Sequence, residues 1–157
     1  MTDQLKLTSP AFNDGEDIPA KYTSDGENIN PSLKISGVDE AAKSLVLIID
    51  DPDAATDPDG PGKTFDHWVV FNIPTEITEI DENSFPKSAT IGLNGINRNS
   101  YIGPAPPNGK HRYFFKLYEL SDHLELAENS SKADVETAMA GKILSQTQLL
   151  GLYQRPV

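Results

Sequence analysis

The chain has 157 residues, 37% hydrophobic and 24% charged, which suffices for one domain spanning 1–157 that buries about 70% of its unfolded surface without a staple. Thirteen Lys and Arg against 24 Asp and Glu leave a net charge of −11, which repels nucleic-acid backbones and anionic membrane surfaces at long range, so no nucleic-acid partner is expected. Zero cysteines exclude disulfides, thiolate metal sites and cysteine nucleophiles.

In chain order, residues 1–6 have neither the basic start nor the apolar stretch of a secretion signal, and the expected address is cytoplasmic. The longest apolar run, 45–49, is far too short for a transmembrane segment. Short runs rich in β-branched or aromatic residues at 32–35, 44–50, 68–73, 89–93 and 112–120 are bounded by Gly, Pro, Asn or Asp and predict strands. Many such strands imply a mostly β chain folded as a two-sheet antiparallel sandwich. The runs 45–49 and 68–73 are apolar on both alternating faces, which places them centrally, covered on both sides. Ser131, with Asp134 three residues later, predicts a capped helix whose Val135, Ala138 and Met139 share a face until Gly141 stops it. A last strand over 143–153 follows, so the helix precedes the final strand rather than closing the chain.

Three histidines occur. His123 lies in a polar loop and reads as a solvated surface residue. His67 in "FDHWVVFNIP" and His111 in "NGKHRYFFKLYEL" each sit at a strand mouth, where loops collect and binding sites form. The buried strand ending in Asp50 and Asp51, followed by Pro52 and Asp53, delivers carboxylates to such a mouth, where they require partners. If Asp51 faces His67 or His111, the tautomer is fixed and the histidine pKa rises, and a protonated imidazole can hold an anion. The acidic stretch that follows fails the calcium-loop pattern, because Ala55 and Asp66 fall where Asp and Glu are needed. With Pro58 and Pro61 it reads as a stiff surface loop. Asp51, Asp53, His67 and His111 could form an oxygen and nitrogen ligand set for a hydrolytic metal, but no metal-spaced motif supports this, and no cofactor is expected. Neither G-x-S-x-G nor a glycine-rich phosphate loop occurs.

Three separated segments, "DDPDAA", "FDHWVVFNIP" and "GPAPPNGKHRYFFKLYEL", together resemble the phosphatidylethanolamine-binding protein (PEBP) family. The earlier "YTSDGENINPSLKISG" and the helix before the last strand are similar to its short bacterial and archaeal branch, often called Raf-kinase-inhibitor-like. The resemblance implies a two-sheet sandwich with a small pocket for phosphate, acetate or a phosphoethanolamine headgroup. By motif it places Asp51, His67, Pro106, Pro107, His111 and Tyr113 in that pocket, and it makes Asp53 a brace of the loop. Arg112, on the opposite face of its strand from His111 and Tyr113, is expected to pair with a carboxylate. Ala55 stands where the family has proline, Ser24 and Ala105 where the branch commonly has cysteines, and Ile35 where tryptophan is common.

The expected function is therefore a binding or regulatory module with an anion pocket, acting on a small anion or phospholipid headgroup, with a protein partner such as a kinase or protease as a further candidate. The alternative is a weak or metal-assisted hydrolase using the same Asp and His residues. A homodimer through the 147–153 face is weighed against burial of that face in the chain's own core. His111→Ala is expected to weaken anion binding and leave the fold intact.

Overall fold

The structure, a computed structural model, describes residues 4–156. The chain runs through β1 (Lys6–Thr8), β2 (Glu16–Asp17), β3 (Leu33–Ser36), β4 (Ser44–Asp51), β5 (Phe65–Ile73), β6 (Glu79–Ile80), β7 (Thr90–Ile91), β8 (His111–Leu120), α1 (Lys132–Met139) and β9 (Ile143–Tyr153). One sheet has the order β1-β3-β6 and the other β2-β9-β8-β4-β5-β7. Every pairing is antiparallel except that of β2 with β9.

β4 is buried along its whole length, as its doubly apolar pattern requires. Its Leu45, Leu47 and Ile49 face the core between the sheets, with Leu33, Ile35, Trp68 and Phe115. Val46 and Ile48 point the other way, onto Val69, Phe71, Val135 and Met139 beneath α1. The same alternation continues into the polar end of the strand. Asp50 turns to the α1 side, where Lys116 and Lys132 reach its Oδ2 at 3.0 and 3.3 Å. Asp51 turns to the opposite face, and the cavity described below forms there.

α1 begins with the expected reciprocal cap between Ser131 and Asp134, and Gly141 beyond it adopts φ +80°, the left-handed conformation that glycine takes at low cost. The strand expected over 89–93 contracts to Thr90–Ile91. Gly92 still donates to the Val69 carbonyl, but the next amide, Leu93, goes to Ser130, and the chain leaves the sheet. β5 starts three residues earlier than its apolar run, because Phe65 and Asp66 pair with Asp51 and Asp50. The 147–153 face is spent within the chain: Leu149 and Tyr153 belong to the core between the sheets, and β2 covers Gly151 and Leu152. No helix among the described residues is long and apolar enough to cross a membrane.

Candidate binding site

β4 ends where β5 and β8 begin, because both neighbours run antiparallel to it. This brings Asp51, His67, His111 and Tyr113 to one end of the large sheet. All four line a single cavity of about 240 Å³, together with Pro106, Pro107, Phe65, Ile102 and Asp59. The volume lies below the roughly 300–1,000 Å³ of sites for drug-sized ligands.

His111 is held at both nitrogens. Nδ1 lies 2.6 Å from Asp51 Oδ2 and Nε2 lies 2.8 Å from Asp57 Oδ2, with all three side chains almost fully covered. Burial pulls the His111 pKa down, but the hydrogen bonds and charges of Asp51 and Asp57 outweigh it, and the pKa is raised. Both nitrogens face carboxylate oxygens, an arrangement that matches a ring donating from both. Asp51 also accepts from the Asp53 amide, 2.8 Å away.

His67 occupies the opposite electrostatic state. Ile102 lies alongside it, its amide donating to the His67 carbonyl at 3.0 Å while its own carbonyl receives His67 Nδ1 at 2.7 Å. Burial draws the His67 pKa from its ordinary 6.5 down to about 4, against the raising effect of that carbonyl. At neutral pH the ring is uncharged, with Nδ1 as the donor and Nε2 left as an acceptor. Phe65, His67 and Tyr113 form successive edge-to-face contacts, with centroids 4.8 and 5.2 Å apart. The Tyr113 hydroxyl at the end of this series is buried without a hydrogen-bond partner. Burial, reinforced by the charge of Asp51, pushes its pKa well above the ordinary value, so it is a neutral donor.

The rim is stiff for reasons read directly from its residues. Pro104, Pro106 and Pro107 restrict the backbone, and Gly109 turns it at φ +67°. Gly103 packs so closely that a Cβ there would lie 2.6 Å from the Tyr22 carbonyl, while its amide donates to Asn28 Oδ1 at 2.7 Å. Ser24 bonds the Pro104 carbonyl through both its amide and its hydroxyl, tying down the place where a cysteine pair would otherwise do so. Asp53 does not line the cavity; it grips Arg112 through Nε, Nη2 and the backbone amide at 2.8–3.0 Å, so the carboxylate partner of Arg112 is Asp53.

Asp57 is the residue that sequence reasoning missed, reading its segment only as a stiff surface loop. Its side chain is only 1% exposed. Asn108 meets it from the rim, donating Nδ2 to Oδ1 at 2.7 Å and its backbone amide to Oδ2 at 3.0 Å. The Asn108 amide, aided by the Asp59 backbone and His111, holds the Asp57 pKa low at about 2 despite desolvation. The available signal was the density of Pro and Gly in 58–62, the same property that marks the rim. His123 is exposed, as expected.

The family model for phosphatidylethanolamine-binding proteins matches residues 8–154. The chain belongs to the phosphatidylethanolamine-binding protein family. A UPF0098 protein of Methanothermobacter thermautotrophicus is 47% identical over 156 residues, covering 96% of this chain and 99% of its own. The crystal structure of a PEBP homologue from Chlamydia trachomatis superposes with a TM-score of 0.89 at 37% identity, over 98% of this chain and 99% of that one. Escherichia coli YbcL, described as a member of the mammalian PEBP family, gives 0.88 at 27% identity, over 98% and 100% of the two chains. These likenesses run across both sheets and the helix, and the PEBP fold with one helix before the last strand is thereby established.

The two histidines of this PEBP site shape its stability in opposite directions. His67 is neutral when folded and gains a proton on unfolding, so its contribution is complete above pH 6.5 and is lost as pH falls toward about 4. That loss is on the order of 3 kcal/mol. His111, with a raised pKa, contributes fully below pH 6.5 and loses that contribution as pH climbs through the raised value. Urea unfolding at stepped pH should show both limbs, and in His67→Gln the limb between pH 6.5 and 4 should shrink. An unchanged limb would assign the acid loss to other groups.

Proposed function

We propose that this protein is a non-catalytic binding module whose cavity takes a small phosphomonoester, of which the phosphoethanolamine headgroup is the model. The observation that carries this reading is the Tyr113 hydroxyl, which lines the cavity and is buried without a partner. Such a hydroxyl is costly in the unliganded fold and well matched to an anionic oxygen. His67 Nε2, an acceptor, complements the remaining P–O–H of a singly ionised phosphate. Burial raises the Asp51 pKa against the lowering contact with His111, and the ammonium end of a zwitterion would favour its ionised form. Phe65, Ile102, Pro106 and Pro107 supply apolar walls, which strengthen these contacts by excluding water. The membership of the chain in the PEBP family supports a binding role of this kind.

The hydrolase alternative has less behind it. His67 is a weak base with its pKa near 4, and His111 already donates from both nitrogens. No group of three or more His, Cys, Asp or Glu side chains among the described residues is arranged to hold a metal ion.

Titration with O-phosphorylethanolamine, followed by NMR and calorimetry between pH 5 and 8, tests the proposal. Saturable shifts at His67 and Tyr113 with one ligand per chain are expected. A flat titration across that range overturns the reading.

A further inference from the structure

His111 lines the cavity, yet neither of its ring nitrogens is free, because each faces a carboxylate. Asp51 belongs to the β4 scaffold, and its bond to Nδ1 is fixed by the sheet. Asp57 is different in kind. It reaches Nε2 from the turn 56–60, outside the sheet, and it is absent from the cavity lining itself. Its carboxylate makes the contact that an incoming oxyanion would make with Nε2, at 2.8 Å.

Resting on the reading above, we infer that Asp57 is a built-in competitor for the anion, occupying His111 Nε2 until a ligand oxyanion displaces it, and is the specificity-determining residue of the site. The competitor is latched rather than loose. Asn108 holds it from the rim with two bonds, and the same Asn108 Nδ2 also reaches Asp59 Oδ2 at 2.7 Å. Displacement therefore couples two loops: releasing Asp57 leaves the Asn108 side chain held by Asp59 alone. The ligand class follows from the exchange. A ligand that replaces a carboxylate on an imidazolium must carry an oxyanion at one end, as phosphomonoesters and carboxylates do. A neutral alcohol or amide of the same size supplies no charge to replace that of Asp57, which selects against it.

The test measures O-phosphorylethanolamine and inorganic phosphate affinity in wild type, Asp57→Ala and Asn108→Ala by calorimetry. Asp57→Ala should bind both more tightly, by on the order of tenfold, because a charge-assisted hydrogen bond no longer has to be exchanged. Asn108→Ala removes the side-chain half of the latch, keeping the backbone bond, without changing any charge, and should gain by a smaller factor. That variant separates displacement from a simple relief of charge repulsion, and it alone decides the matter if Asp57→Ala does not fold. In wild type, saturation should shift the Asn108 side-chain amide resonances toward solvent-exposed values. If wild type binds and neither variant binds more tightly, the competitor role falls while the binding function stands. If wild type and both variants all fail to bind, both readings fall together.

Discussion

Tyr113→Phe should weaken O-phosphorylethanolamine binding by roughly ten- to a hundredfold while leaving the melting temperature equal to or above that of wild type. Most cavity variants trade stability and binding in the same direction; this one should separate them. The ring is 1% exposed and packed, and phenylalanine keeps that packing. What the substitution removes is a hydroxyl with no partner in the unliganded protein, and a buried unsatisfied donor is a net cost to the fold, of the order of 1–3 kcal/mol. In the complex the same hydroxyl donates to an ionised oxygen, a bond of about 1.5–3 kcal/mol. Paired calorimetric titration and thermal unfolding check both halves. A variant that melts several degrees lower yet binds normally would mean the hydroxyl serves the fold rather than a ligand.

His111→Ala should be severely destabilising, by about 3–5 kcal/mol, rather than neutral to folding. The sequence position, at the mouth of a strand, suggests a residue with little packing to lose. The structure revises that expectation, because the imidazolium sits between two nearly inaccessible carboxylates. Removing it leaves Asp51 and Asp57 facing each other across an empty space without their shared counter-charge. Urea unfolding at pH 6 measures the loss. His111→Gln, which keeps a polar group between the two acids, should recover part of it. Wild-type stability in His111→Ala would show that water or a cation takes over the imidazolium's place without cost.

The fold was legible because its signals are local. The alternation in 44–50 and 68–73 marks strands covered on both sides, and β4 and β5 are so covered because a helix lies on one face and a second sheet on the other. The Ser131 and Asp134 pair marks a helix start through contacts that span three residues. β1, β2 and β6 carried no such signal: two or three residues have no period, and they are strands only because a partner lies beside them. The pocket residues were legible through motif resemblance, which carries spatial information that composition does not. Asp57 was not, since a carboxylate in a Pro-rich and Gly-rich loop looks the same in sequence whether it meets water or a buried imidazolium.

The sequence by itself determined which segments are central strands and where the helix begins, through side-chain periodicity and capping chemistry. That Asp51, His67, His111 and Tyr113 belong together was legible only through the resemblance of their motifs to a known family. Only the tertiary structure decided the ionisation of that end. It put His67 in full burial against the Ile102 carbonyl and lowered its pKa, and it put His111 between Asp51 and Asp57, whose hydrogen bonds and charges raise its pKa. Proton affinity depends on burial and on charges a few ångströms away, and residues 54 to 60 positions apart become such neighbours only when the chain has closed.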